Sequence, residues 1–234
     1  MVRVSAGSAF SASPAQATQP EGASHPGSAP VAARLVRAMA TAPATDAIAE
    51  RILDGALAQF CDTGLTRSTM DDVAGRAGLA RVTIYRRFEN KNALIEAVLL
   101  RECRRCLAAL EKAVSGVPGI EARIVEGFAF ALRYTREHPL IGGLLRVEPQ
   151  VILPFMTVRA ELGTAVIRGF LAFHLRRARD AGQLEAPDVE PIAELMTRIT
   201  TSFLLSPASC IPCESDDDMR QFARRYLVPL INRR

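Results

Sequence analysis

Apolar residues recur at three- and four-residue steps along most of the chain, and no stretch alternates residue by residue as a half-buried strand would. Over 46–63, Ile48, Ile52, Leu53, Ala56, Leu57 and Phe60 fall on one helical face, leaving Glu50, Arg51, Asp54 and Gln59 for solvent. Thr45 or Asp46 can cap this helix, and Gly64 ends it. Two short helices are predicted within 66–91. Ser68 and Thr69 are both N-cap types, each with an aspartate three positions on, Asp71 and Asp72. Met70, Val73, Ala74 and Ala77 make the inner face of the first, and Gly78 supplies the turn. The second carries Arg81, Val82, Thr83, Tyr85, Arg86 and Arg87. A helix this short after a tight turn fits a DNA major groove. Leu65, Val73, Leu79, Ile84 and Phe88 are expected to complete the small core behind it.

The same spacing predicts helices over 90–114, 120–138, 140–147, 151–181, 191–205 and 216–231. The run SGVPG at 115–119 separates the first two. Pro154 is placed in the first turn of 151–181, where a proline is tolerated. Ser215 and three aspartates suit the positive end of the last helix. An all-α fold is therefore expected.

Composition changes the picture at the N-terminus. Residues 1–45 are dominated by Ala, Ser, Pro, Gly and Gln and are expected to be a disordered tail, with a short helical piece at 31–40. They lack the basic start and continuous apolar core of a secretory leader. No apolar run of about 18 residues lacks a charge, so no membrane span is expected and the cytoplasm is the expected location.

Charge matters by position rather than by sum. The net balance is only +4, and 46–91 holds seven cations against seven acids. Within 76–91, however, five cations (Arg76, Arg81, Arg86, Arg87 and Lys91) face one acid, Glu89. Cations gathered on a short helix find phosphates; spread evenly, they would mark an ordinary solvated face.

The segments IAERILDGALAQFCDTG and STMDDVAGRAGLARVTIYRRFENKNAL together resemble the DNA-binding domain of TetR/AcrR-family transcriptional regulators. The resemblance implies a three-helix helix–turn–helix domain at 46–92 and a larger helical effector-binding and dimerisation domain at 93–234. It implies a homodimer on a palindromic operator in double-stranded DNA, released by a small-molecule effector, and no cofactor. Ser68 or Thr69 would touch a phosphate. Arg81, Val82, Thr83 and Arg86 would meet bases and backbone, with Tyr85 and Lys91 on phosphates and Arg87 beside them. The commonest family pattern has a small residue where this chain has Val82. The dimer face would fall on 191–205 and 216–231, through Ile199, Phe203, Phe222 and Tyr226.

An effector cavity among the middle helices would be largely apolar, with Phe128, Tyr134, Phe155, Phe170, His174 and Met196 as lining candidates and a helical core as the alternative for each. The effector is expected to be apolar or amphipathic. Cys103 with Cys106, and Cys210 with Cys213, form two C-x-x-C pairs, which leave a thiol-redox or zinc-responsive regulator on the same scaffold as one rival. Reduced structural thiols, and no metal, are the expectation. A helical ligand-binding protein without DNA binding is the other rival. There is no glycine-rich phosphate loop, no G-x-S-x-G and no H-E-x-x-H, so no enzyme chemistry is expected.

Overall fold

The computed structural model describes residues 46–185 and 188–232. The tail expected over 1–45, with its helical piece at 31–40, lies outside them. Eleven helices are described in chain order: α1 Ala47–Thr63, α2 Met70–Ala77, α3 Arg81–Tyr85, α4 Lys91–Val114, α5 Ile120–Glu137, α6 Ile141–Val147, α7 Pro149–Met156, α8 Glu161–Asp180, α9 Glu190–Leu205, α10 Asp216–Phe222 and α11 Val228–Ile231. No strand occurs among the described residues, and no single helix there is long and apolar enough to cross a membrane.

Two of the predicted helices are broken. The stretch 151–181 divides into α7 and α8, bent by 55°. Because α7 already starts at Pro149, Pro154 sits inside it rather than in its first turn. The Thr157 hydroxyl then donates to the Leu153 carbonyl (2.7 Å), and the chain leaves the helix until Glu161. The last helix changes pitch over Ala223–Leu227, a π turn just before Pro229. A proline there cannot return an N–H to the turn beneath it, and one wide turn takes up the misfit.

The core of the N-terminal helices does not stop at residue 92. Ile52, Phe60, Leu65, Val73 and Ile84 pack with Leu94, Ile95 and Val98 from α4, and also with Leu140, Leu144 and Ile152 from the α6–α7 region. The second core lies among α5, α8, α9 and α10, around Phe128, Leu132, Leu175, Met196 and Phe222. α4 belongs to both halves. Midway along it, Arg101 is only 7% exposed and reaches Glu50 (3.2 Å), Asp54 (2.8 Å), Glu102 (3.0 Å) and the Leu53 carbonyl (3.2 Å). Ile141 N–H donates to His138 Nδ1 (3.3 Å), which leaves Nε2 as the donor toward Glu102 (3.3 Å). This buried polar cluster ties α1, α4 and the end of α5 into one elbow.

Candidate functional site

The helix–turn–helix is built by local rules. Thr69, rather than Ser68, is the N-cap of α2: its hydroxyl accepts from Asp72 N–H (3.2 Å), and the Asp72 carboxylate accepts from Thr69 N–H (2.9 Å). Gly78 has φ 62°, and its N–H and that of Leu79 return to the Gly75 and Ala74 carbonyls in a Schellman turn. From α1, Arg51 Nη2 donates to the Ala77 carbonyl (2.8 Å), closing the end of α2. Arg51 was expected to point at solvent. Gln59, with the same expectation, is buried and accepts from Arg76 Nε (2.6 Å). Neither role is visible in a helical period, because both partners come from another helix.

On α3, Ile84 is fully buried and fixes the helix by one side chain. The opposite face is open: Val82 is 66% exposed and Tyr85 41%, with Arg81 and Arg86 also exposed and Thr83 half-buried. Phe88 packs back into the core, on the side away from Arg86. The cations of this surface are not equally free. Arg81 pairs with Asp71 (2.9 Å) and lies over the Tyr85 ring (5.3 Å). Arg87 pairs with Asp46, which caps α1. Lys91 Nζ donates to the Ser68 (2.7 Å) and Thr66 (3.3 Å) carbonyls, keeping one N–H for another partner. Arg86 has no ion-pair or hydrogen-bond partner for its side chain among the described residues.

Ser68 requires a correction. It is 1% exposed, and its hydroxyl donates to the Gly64 carbonyl (2.6 Å), so it cannot reach a phosphate. Two adjacent cap-type residues are indistinguishable in sequence; the turn before the helix decides which one faces out.

A cavity of about 640 Å³ lies among α4, α5, α8 and α9 and the chain joining α7 to α8. Phe128, Phe155, Phe170, His174 and Met196 line it, as do Leu100, Leu107, Thr197 and Thr200, which the sequence did not single out. The threonine hydroxyls donate to Ala193 and Met196 carbonyls one turn back (2.8 Å each), leaving the cavity their methyls and oxygen lone pairs. Tyr134 is not on the wall; it stacks on Phe130 (5.5 Å between rings), one face too far round α5. His138 is likewise spent elsewhere, against Glu102.

α7 joins the cavity to the DNA-facing helices. Phe155 and Met156 are on the cavity wall while Ile152 is fully buried in the N-terminal core. Just before α7, the Glu148 carboxylate accepts from Leu65 N–H (2.8 Å) and Thr66 N–H (3.1 Å), holding the turn that precedes α2. Gly64 makes room for it: with φ 83°, a Cβ there would meet Glu148 Oε1 at 2.6 Å.

The expected dimer residues separate into two groups. Phe222 is buried within the chain, stacked on Phe128 (5.2 Å) and set edge-on to Phe203 (4.8 Å), so it belongs to the core and not to an outer face. Tyr226 is 41% exposed, Ile199 and Phe203 are half-buried, and Leu195, one turn from Ile199, is 46% exposed.

The Cys103 and Cys106 thiols are buried. Burial pushes the Cys103 thiol up to about 12 and the Cys106 thiol up to about 11, so neither supplies a thiolate near neutral pH. Cys210 and Cys213 lie in the loop before α10, away from α4, and the described residues contain no group of three or more His, Cys, Asp or Glu able to hold a metal. Cys61, in α1, is exposed.

Residues 52–98, from α1 into the second turn of α4, match the family described as bacterial regulatory proteins, tetR family. Over that stretch the chain carries the tetR-family helix–turn–helix pattern. It is similar to an HTH-type transcriptional regulator of Mycobacterium tuberculosis, with 27% identity over 80% of this chain and 87% of the relative. Among solved structures it shares its fold with the TetR family repressor AlkX from Dietzia sp., implicated in biodegradation of n-alkanes: TM-score 0.62, 24% identity, 77% of this chain and 93% of AlkX. The repressor QsdR of R. erythropolis superposes over 81% of this chain and 98% of its own, at TM-score 0.61 and 23% identity.

Proposed function

We propose that this regulator is a homodimeric repressor that binds a palindromic operator and leaves it when an apolar or amphipathic small molecule enters the cavity. The observation that carries the reading is α3: a one-and-a-half-turn helix anchored by Ile84, with Arg81, Val82, Tyr85 and Arg86 facing outward. Arg81, Thr83 and Arg86 take base edges. Val82 offers its methyls where a thymine methyl projects into the major groove. Thr69, Tyr85, Arg87 and Lys91 take the backbone. One such helix reads a few base pairs, so a second copy is needed for a useful site, with the exposed Tyr226, Leu195 and half-buried Ile199 and Phe203 as the contact face. The exposed pairs holding Arg81 and Arg87 are worth little in water, so exchanging a carboxylate for a phosphate costs the protein little stability. Repression is supported by AlkX, itself a repressor, and an apolar effector by the lining of the cavity. A regulator acting on DNA works in the cytoplasm.

The ligand acts by differential affinity for two arrangements of the DNA-reading helices. α7 and Glu148 supply the contact through which a filled cavity shifts the turn before α2.

Selection of bound fragments from genomic DNA tests the reading. A recurring inverted repeat is expected. If no duplex is retained at any salt concentration, the chain is a ligand-binding protein without DNA binding. On the selected fragment, Lys91→Ala is expected to weaken binding and to flatten the slope of log K against log salt by about one unit. An unchanged slope would mean that Lys91 only braces Thr66 and Ser68.

A further inference from the structure

The two ends of the cavity carry different charge. At the end nearer the DNA-binding helices, Arg159 is paired with Glu96 (3.6 Å) and lies over Phe155 (5.4 Å), so that end is neutral. At the far end, where α4 and α8 finish and α5 begins, the charged or titratable lining residues are Glu111, Arg123, His174 and Arg177. His174 Nε2 meets Glu111 Oε2 at 2.7 Å. Burial, helped by the Arg177 and Arg123 charges, outweighs Glu111 and keeps the imidazole pKa below its ordinary value, so it is neutral at pH 7. Neither arginine has a carboxylate partner among the described residues. Arg123 Nε donates to the Val117 carbonyl (2.8 Å), and Arg177 lies over Phe173 (5.7 Å). Two guanidiniums against one carboxylate leave the mouth with one net positive charge, at the solvent edge, where both arginines are exposed.

The shape is as informative as the charge. The wall that α4 contributes runs from Glu96 to Val114, a rise of about 27 Å. A volume of about 640 Å³ spread along that length makes a narrow channel, largely apolar, with its charged residues at the two ends and Thr135, Thr197, Thr200 and Thr201 as uncharged polar positions between them. It fits a chain better than a ring system.

We propose that the effector is an amphiphile with one unbranched apolar tail and a single anionic head, a long-chain carboxylate being the simplest form. The head sits at Arg123 and Arg177, and the tail runs along α4 toward Phe155 and Met156. This rests on the cavity being the effector site proposed above. Only a tail long enough to reach α7 presses on the helix that carries Ile152 and follows Glu148. A short carboxylate therefore fills the mouth without moving the DNA-reading helices.

The test titrates the whole protein with saturated carboxylates from octanoate to hexadecanoate, each against the alcohol of the same length, below their micelle concentrations. Calorimetry and the thermal midpoint are read without DNA. At the best length the carboxylate is expected to bind about tenfold more tightly than its alcohol, the size of one or two exposed charge contacts. The double variant R123Q/R177Q should lose that preference, while binding the alcohol as the parent does and melting at the parent's temperature unliganded. Equal affinity for acid and alcohol, or a preference that survives in the double variant, overturns the proposal. So does a tightly bound carboxylate that fails to release a selected operator fragment. Failure to retain any fragment sinks the regulator reading instead, and leaves the calorimetric comparison to decide the chemistry of the channel.

Discussion

Arg86→Ala is expected to lower discrimination between the operator and an unrelated duplex by about 1–3 kcal/mol, roughly five- to 150-fold, with no change in thermal midpoint. The size follows from how the residue is held. Arg86 stands at the C-terminal edge of α3 with its side chain exposed and unpartnered, so nothing inside the protein competes for it. Arg81 must first leave Asp71 and the Tyr85 ring, and Arg81→Ala should therefore cost less affinity than Arg86→Ala. Titrating both duplexes at one salt concentration checks this. If Arg86→Ala weakens operator and unrelated DNA equally, the residue touches phosphate, and base reading has to be assigned to Arg81 and Thr83.

The largest effect on stability is expected at Arg101→Met. Methionine fills much of the same space, but it leaves the Glu102 carboxylate, 3% exposed, with Arg105 (3.0 Å) as its one remaining guanidinium, and takes from Glu50 and Asp54 the buried cation they share. Breaking a buried pair from one side costs about 3–5 kcal/mol, which in a chain of this size lowers the melting temperature by about 10 °C. Acid should narrow the gap. In the parent, burial works against the ionised Glu102. The His138 hydrogen bond and the Arg105 and Arg101 charges outweigh it and hold the pKa below the ordinary 4.5. That depressed value gives the parent stability that is complete above the ordinary carboxylate range and is lost as pH falls through the lowered value. In the variant, protonating Glu102 removes a buried charge that only Arg105 and the His138 hydrogen bond still offset, so acid costs it less. Melting curves from neutral to acid pH measure both slopes, and parallel curves would mean that Arg101 contributes packing alone.

The same cluster shows where reading the chain stopped short. Arg101 and Glu102 fall among the periodic apolar positions of α4 and look like part of a solvated stripe. Their burial comes from α1 and the end of α5, 36 to 51 positions away along the chain. Arg51 on Ala77 and Gln59 on Arg76 went unseen for the same reason. Phe222 and Tyr134 were legible as apolar but not by direction: a helical period says that a face is covered, and is silent on whether the cover is the same chain, a second copy or a ligand. Thr157 escaped because a proline's tolerance depends on where its helix starts, and α7 starts two residues earlier than the pattern implied.

What the sequence by itself determined is the local grammar: the helical class, the cap and glycine around α2, the short cationic α3 and its family. These depend on neighbours within four or five residues, so the order of residues is enough to specify them. The tertiary structure alone decided which of Ser68 and Thr69 faces outward, which arginines are already paired, and where the channel opens and what charge rings it. Those are matters of distance between helices far apart in the chain, set when α1 and α2 close on one end of α4 and α8 on the other.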